Sequence, residues 1–333
     1  MSTAAMRGVA VTECADPGKI AGTWAKAPWD SSVASPRDPW HFRVAMTAND
    51  DKLAAIRRRI DAIDDKLLDL LMDRARAMAD VQAAKGGAAG VLARPGREIA
   101  VLRRLLARRE DPLPADLVVR LWRDVMTSFT RLQGPFAIGH LEEPTALADL
   151  ARRHYGLAAP LVSVANPSTL FAKLGDGRVQ LALFPSPEDS PTAWWRHLAP
   201  DQAQIVARLP VDGTESQPGA LVVGRQAFEP SGEDRALVIL EFAEAQSRPK
   251  IARRFAAAGL DFLHVLAEGE DRQGASALCL CAGALSPTDP RLAALAAEGG
   301  QARLAGGYAL PLGLATGYTR GASGDARGKG ARK

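Results

Sequence analysis

Two basic side chains, Arg74 and Lys85, interrupt the apolar face of a predicted long helix. Positions three or four residues apart define one helix face, here Leu53, Ile56, Ile60, Ile63, Leu67, Leu70, Arg74, Met78, Val81 and Lys85. At about 100° per residue, the two cations are separated by three turns and roughly 20°, so both lie on this face. Because burying an unpaired cation costs several kcal/mol, we expect an internal or bound anion beside them.

More polar side chains lie near this face, in a loop and at two helix ends: Arg94, Arg97, Glu98 and Gln133. Arg57 is about 100° away from Arg74 around the helix, so it fits the pocket of a partner chain better than its own. Such a set, without a candidate nucleophile or metal cluster, suits a small polyanion whose chemistry needs no covalent help. The alternative for any single Arg is a solvated head with its stem packed on the helix.

Three predicted helices position these groups. Asn49 can cap the first, which continues to about Lys85 and measures about 55 Å. A helix of that length needs a partner, which predicts an intertwined homodimer. The second is predicted over 97–109 and the third over 116–133. Their expected inward residues are Ile99, Leu102, Leu105 and Leu106, then Leu117, Leu121, Val125, Phe129 and Leu132.

The region from Leu53 to Gln133, about 80 residues, resembles the all-helical chorismate mutase family. The matching motifs are Ile56-Arg57, the run from Ile60 to Leu68, Arg74, Lys85, Arg94-Pro95-Gly96-Arg97-Glu98 and Gln133. The resemblance implies the rearrangement of chorismate to prephenate, a step of aromatic amino-acid biosynthesis, in an intertwined homodimer. It implies no cofactor and no metal.

The resemblance also implies a role for each site residue. Arg74 and the partner's Arg57 would hold the two substrate carboxylates. Lys85 and Gln133 would donate to the ether oxygen, which becomes negative as the C–O bond breaks. Glu98 would hold the ring hydroxyl, and Arg97 would support the loop.

Two departures from the family pattern concern Phe129 and Arg94. Phe129 stands where many members carry Ser, and Arg94 stands where some carry Asp. We expect these changes to alter affinity and to leave activity intact.

The chain after Gly134 alternates short β-rich runs with helical ones, which predicts an α/β layer. The predicted strands are 136–141, 161–165, 179–185, 205–210 and 221–225. From residue 236 the order strand, helix, strand, strand, helix, strand predicts a ferredoxin-like βαββαβ unit.

This second half resembles, more faintly, prephenate dehydratase with its ACT domain. The matching residues are Phe184-Pro185 before Glu188-Asp189-Ser190, the strand from Leu221 to Gly224, and the run from Leu304 to Tyr308. However, Pro218-Gly219-Ala220 stands where that enzyme has its catalytic Thr-Arg-Phe, and the ACT ligand-binding motifs are absent. We therefore interpret the half as a degenerate module.

The predicted organisation is multidomain. It comprises a disordered leader (1–48, with Met46 as the expected true start), an all-α mutase domain (49–134), a dehydratase-like α/β domain (135–232), an ACT-like domain (233–315) and a basic disordered tail (316–333). The main prediction is a chorismate mutase whose second half has lost dehydratase activity, and two alternatives stay open. One is a bifunctional mutase and dehydratase, and the other is a non-catalytic regulatory protein that senses an amino acid.

Composition restricts the remaining classes of function. The chain has 333 residues, 47% of them hydrophobic, and a formal charge of +4 that is partly due to the tail, so nucleic-acid binding is not expected. The sequence lacks an apolar run long enough to span a membrane and a signal-peptide pattern, which predicts a cytoplasmic protein. Cys279 and Cys281 alternate along one strand and are expected to be small buried apolar side chains.

Overall fold

The computed structural model describes residues 48–84, 93–199, 201–272, 274–297 and 299–314. The chain divides into two compact units, Met1–Asp64 and Asp65–Lys333. The described part of the first unit is helical throughout. The predicted start at Met46, nearly all of the predicted leader, the predicted tail and Lys85 lie outside the described residues.

Three helices come first, as predicted. Helix α1 covers Ala48–Ala84, with Asp50 and Asp51 in its first turn, where acidic side chains interact favourably with the helix dipole. Helix α2 covers Pro95–Arg108 and starts with a proline, whose missing N–H costs nothing at that position. Helix α3 covers Ala115–Gln133.

Nine strands and four further α-helices follow in the described part of the chain. Their bounds are β1 Ile138–Leu141, α4 Ala146–Tyr155, β2 Leu161–Val164, α5 Pro167–Gly175, β3 Leu181–Pro185, β4 Gln204–Leu209, β5 Ala220–Gly224, β6 Asp234–Phe242, α6 Arg248–Ala257, β7 Phe262–Asp271, β8 Gly274–Ala282, α7 Pro290–Ala296 and β9 Gln301–Ala309. Each predicted strand overlaps an observed one.

The nine strands form one mixed sheet in the order β2-β1-β3-β5-β4-β9-β6-β8-β7. Strands β2, β1 and β3 are parallel, as expected where helices connect them. The last four strands have the order β9-β6-β8-β7, which confirms the predicted βαββαβ topology. The ACT likeness itself stays a prediction.

Alternation along the strands divides the core between the two faces of the sheet. On β3, Leu181 and Leu183 pack with the buried side chains of α2 and α3, whereas Ala182 and Phe184 pack on the opposite face with Trp194 and Trp195. The period of two in a strand produces this division. Helices α2 and α3 therefore share one hydrophobic core with the sheet.

The sheet continues across the predicted domain boundary at 232. Strand β4 pairs with β9 in parallel, with Ile205 opposite Gly306. Gly306 has φ +122°, and a Cβ on it would come within 2.1 Å of the Ile205 carbonyl oxygen. Only glycine fits this close approach, so the pairing depends on Gly306. The boundary itself stays a prediction.

One predicted helix face was partly wrong. On α3, the expected inward residues Leu117, Leu121 and Leu132 are exposed, whereas Val119 and Met126 are buried. The helix has two apolar sides, and the sheet covers the side that the predicted stripe did not follow.

Both free cysteines on β8 are buried, as predicted. Burial raises the pKa of the Cys281 thiol to about 12, so this side chain stays protonated and apolar in character. Among the described helices, none combines the length and the apolar character needed to cross a membrane.

Candidate active site

Arg74 is half-buried on α1, and its guanidinium lies over the ring of Phe129 on α3. The Cζ atom is 4.3 Å from the ring centroid, a cation–π distance. Its Nη1 atom is buried and has no hydrogen-bond partner among the described residues. Burial also lowers the pKa of Arg74 from its usual value, although an arginine remains charged at neutral pH. The expected cation is therefore held at the contact of two helices with a donor still unsatisfied.

Phe129 links two of the predicted site residues. Its ring lies under Arg74, and its backbone carbonyl accepts a hydrogen bond of 3.2 Å from Nε2 of Gln133. The family departure at Phe129 thus does more than remove a hydroxyl, because the aromatic ring supports the Arg74 guanidinium. Phe129 therefore contacts both Arg74 and Gln133, whose predicted roles stay predictions.

Glu98, in the first turn of α2, forms an ion pair with Arg123 of α3. Nη1 of Arg123 donates to Oε2 of Glu98. Arg123, a residue not predicted from the sequence, is buried with 4% of its side chain exposed. Arg123 lies four residues after Val119 and three before Met126, on the second apolar side of α3, and the sequence alone does not show that this side is the buried one.

The loop before α2 is fixed by Arg94, the second departure from the family pattern. Its Nε and Nη2 atoms donate to Oε1 of Glu229 at 2.8 and 2.6 Å. A Cβ on Gly96 would lie 2.0 Å from the Glu229 carbonyl oxygen, so the backbone approach requires glycine. Arg94 therefore anchors the start of α2 to the segment between β5 and β6.

Three other predicted residues are not brought to this site by described contacts. Lys85 lies outside the described residues. Arg57 is exposed in the first unit, and Arg97 is exposed on α2. Their predicted roles stay predictions.

The apolar face of α1 is open in the single chain. Ten large hydrophobic side chains on this helix are between 40% and 65% exposed, among them Leu67 and Leu70. Soluble monomers rarely expose so large an apolar surface.

A separate cavity of about 770 Å³ lies beside the end of β3 and the start of β5. Its lining includes Glu188, Asp189 and the run from Gln217 to Gly219. A Cβ on Gly219 would lie 2.3 Å from the Leu209 carbonyl oxygen, so this position admits little beyond glycine. Glu188 and Asp189, of the loop that resembles the dehydratase, and Pro218 and Gly219, which stand in place of that enzyme's Thr-Arg-Phe, therefore line the same cavity.

The described residues contain no group of three or more His, Cys, Asp or Glu side chains that could hold a metal ion.

Residues 56–134 match the family model described as Chorismate mutase type II. This segment is similar to the type II chorismate mutases. It contains all three helices that supply the candidate site, apart from the first residues of α1.

Two curated relatives are similar to part of this chain. A bifunctional chorismate mutase/prephenate dehydratase of Pseudomonas aeruginosa is 35% identical over 144 residues, which are 41% of this chain and 40% of the relative. A protein of the same description from Neisseria gonorrhoeae is 38% identical over 111 residues, which are 33% of this chain and 30% of the relative. The matches thus span two-fifths or less of the relatives' length.

Two solved structures are similar over 52% of the chain. A quorum-quenching acylase, GqqA, has a TM-score of 0.41 at 17% identity, with 94% of that chain covered. Prephenate dehydratase from Streptococcus mutans has a TM-score of 0.39 at 15% identity, with 97% covered.

Proposed function

We propose that this protein rearranges chorismate to prephenate. The observation that carries the proposal is the Arg74 guanidinium, half-buried at the contact of α1 and α3 with a buried Nη1 that lacks a partner among the described residues. Such a cation is positioned for a bound anion. The match of residues 56–134 to the type II chorismate mutases supports chorismate, a dianion, as that ligand.

The reaction needs only orientation and fixed charge. In one step the C–O bond breaks and a C–C bond forms within the same molecule, with no proton or electron exchanged with the protein. Arg74 and the partner's Arg57 hold the two carboxylates, and Glu98 holds the ring hydroxyl while Arg97 supports its loop. Lys85 and Gln133 donate to the ether oxygen, where negative charge develops. Freezing the reactive conformer and stabilising this charge are together sufficient for catalysis.

Lys85→Ala should lower kcat for chorismate by about a hundredfold with a smaller change in KM, because the charge that it stabilises develops in the transition state. Steady-state consumption of chorismate, with prephenate identified as product, measures both constants. Lys66→Ala is the matched control, since Lys66 is an exposed lysine of α1 outside the site. If only KM rises in Lys85→Ala, the ether-oxygen role is wrong, and if the unaltered chain consumes no chorismate, the proposed function is wrong.

We also propose that the active form is a homodimer in which the open apolar face of α1 is covered by a second copy. The ten exposed hydrophobic side chains on α1 support this proposal. The position of Arg57, off the face of Arg74, supports its contribution to the partner's site. In a symmetric homodimer, each protomer covers this face of its partner.

Leu67→Asp should weaken the dimer at least about a hundredfold. Burying one leucine contributes about 1.5–3 kcal/mol, and the symmetric interface loses two of them. Sedimentation equilibrium across a dilution series measures the dissociation constant. Leu157→Asp provides the control, because Leu157 is 88% exposed and lies far along the chain from α1. A dimer unaffected by Leu67→Asp would exclude this face as the interface.

A second activity, dehydration of prephenate, is favoured by the names of the relatives, and Pro218-Gly219-Ala220 at the expected hydroxyl position argues against it. Phenylpyruvate formed from prephenate by the purified chain would assign the bifunctional alternative. A chain that neither consumes chorismate nor forms phenylpyruvate would leave the regulatory alternative. The cytoplasmic location stays a prediction.

A further inference from the structure

Arg123 is a buried cation that the proposed chemistry does not use directly. Its guanidinium makes three contacts with two helices. Nη1 donates to Oε2 of Glu98 on α2, Nε donates to the His154 carbonyl on α4 at 3.2 Å, and Cζ lies 5.5 Å from the ring centroid of Tyr155, also on α4. A buried guanidinium is tolerated only when its donors are paired in this way. The planar fork of arginine allows it to hold two acceptors in fixed directions at once.

On the α2 side, the ion pair fixes the carboxylate that the proposed mechanism assigns to the ring hydroxyl. The Glu98 side chain is only 16% exposed, so its environment is one in which charge pairing is strong. The contact with Arg123 engages Oε2. A carboxylate has a second oxygen, and Oε1 can accept a hydrogen bond from the substrate while Oε2 is held.

On the α4 side, the same guanidinium binds the carboxyl end of a helix. The His154 carbonyl belongs to the last turn of α4, where carbonyls lack partners within the helix and where a cation is favoured. Burial and the Arg123 charge lower the pKa of His154 well below its usual value, so the ring is neutral beside the guanidinium. Arg123 therefore contacts a carbonyl and an aromatic ring on α4, and the neutral His154 side chain does not repel it.

We infer that Arg123 is a positioning residue of the proposed mutase site: it orients the Glu98 carboxylate and fastens it to α4 of the α/β region. The inference rests on the proposed function. Preorganised polar groups are effective when a neighbouring shell fixes their orientation. The α/β region then contributes to mutase catalysis through this contact, whatever else it binds.

The test is a double-mutant cycle in the full chain with Glu98→Gln, Arg123→Met and the combined variant. Arg123→Met keeps an apolar stem and should lower kcat/KM for chorismate by about ten- to hundredfold, the range of coupling between residues in contact. If Arg123 acts through Glu98, the combined variant should be within about twofold of Glu98→Gln alone. Arg120→Met is the matched control, because Arg120 is exposed on the same helix and pairs with Asp116 one turn away. It should behave as the unaltered chain does.

If the reductions in kcat/KM of the two single variants multiply in the combined variant, the positioning role is wrong. It is also wrong if Arg123→Met leaves kcat/KM unchanged. Thermal melts establish that each variant is folded at the assay temperature. If Arg123→Met is unfolded there, Arg123→Lys replaces it in the same cycle: it keeps the charge without the fork, and its loss should likewise vanish on a Glu98→Gln background. Absence of chorismate turnover in the unaltered chain would overturn the proposed function, whereas turnover with multiplying losses would overturn the positioning role alone.

Discussion

Replacing Arg74 by alanine should lower kcat/KM for chorismate by at least about a hundredfold while the chain stays folded. The guanidinium is half-buried, and its Nη1 atom has no partner among the described residues, so its removal breaks no internal hydrogen bond of that atom. What is lost is the cation that the substrate carboxylate requires, and one fixed charged donor in an active site is commonly worth about two to three orders of magnitude. Steady-state kinetics together with circular dichroism measure the two parts of this expectation.

Two further variants sharpen the result. Arg74→Lys should recover part of the loss, because an ammonium retains the charge but cannot bind a carboxylate through two parallel hydrogen bonds. Arg76→Ala serves as the control, since Arg76 is an exposed arginine of the same helix that pairs with Asp73 at 2.6 Å. Turnover retained in Arg74→Ala would show that the anion site lies elsewhere.

A fragment of residues 46–135 should fail to fold cooperatively and should lack the turnover of the full chain. Ile99 and Leu102 of α2, with Val119 and Met126 of α3, are buried in a cluster that includes side chains of the sheet. Exposing four such side chains costs up to about 6–12 kcal/mol, which is comparable with the total stability of a typical domain.

Polar contacts between α2 and the rest of the chain add to this dependence. Arg103 donates to the carbonyls of Glu233 and Leu310 at 3.1 and 2.9 Å, and Arg94 binds Glu229. Denaturant titration followed by fluorescence compares the fragment with the full chain. A fragment with a steep unfolding transition and full activity would show that the packing of α2 and α3 on the sheet is dispensable.

Local patterns were sufficient to predict most of the elements. The apolar run of β3 and the alternation of Cys279 and Cys281 each predicted a buried strand, because burial of one or both strand faces leaves a direct trace in the sequence. The βαββαβ order was predictable for the same reason. The face of α3 was not, because its sequence offers two apolar sides and only the position of the sheet decides which of them is covered in the chain.

The candidate site was predictable only in part. Arg74 violates an apolar stripe, which is a local signal, and Gln133 follows from the family resemblance. The ion pair of Arg123 with Glu98 joins residues 25 positions apart, and the contact with His154 spans 31. Neither pair has a spacing that a single helix or turn would fix, so their meeting depends on how three helices pack.

The glycine that joins β4 to β9 determines how the second half of the molecule can deform. With Ile205 and Gly306 paired, the ferredoxin-like strands cannot rotate as a separate body without breaking the pairing of β4 with β9. A small molecule bound beside α6 or α7 would therefore deform one continuous sheet. Any residue other than glycine at position 306 would disrupt the β4–β9 pairing that makes the sheet continuous.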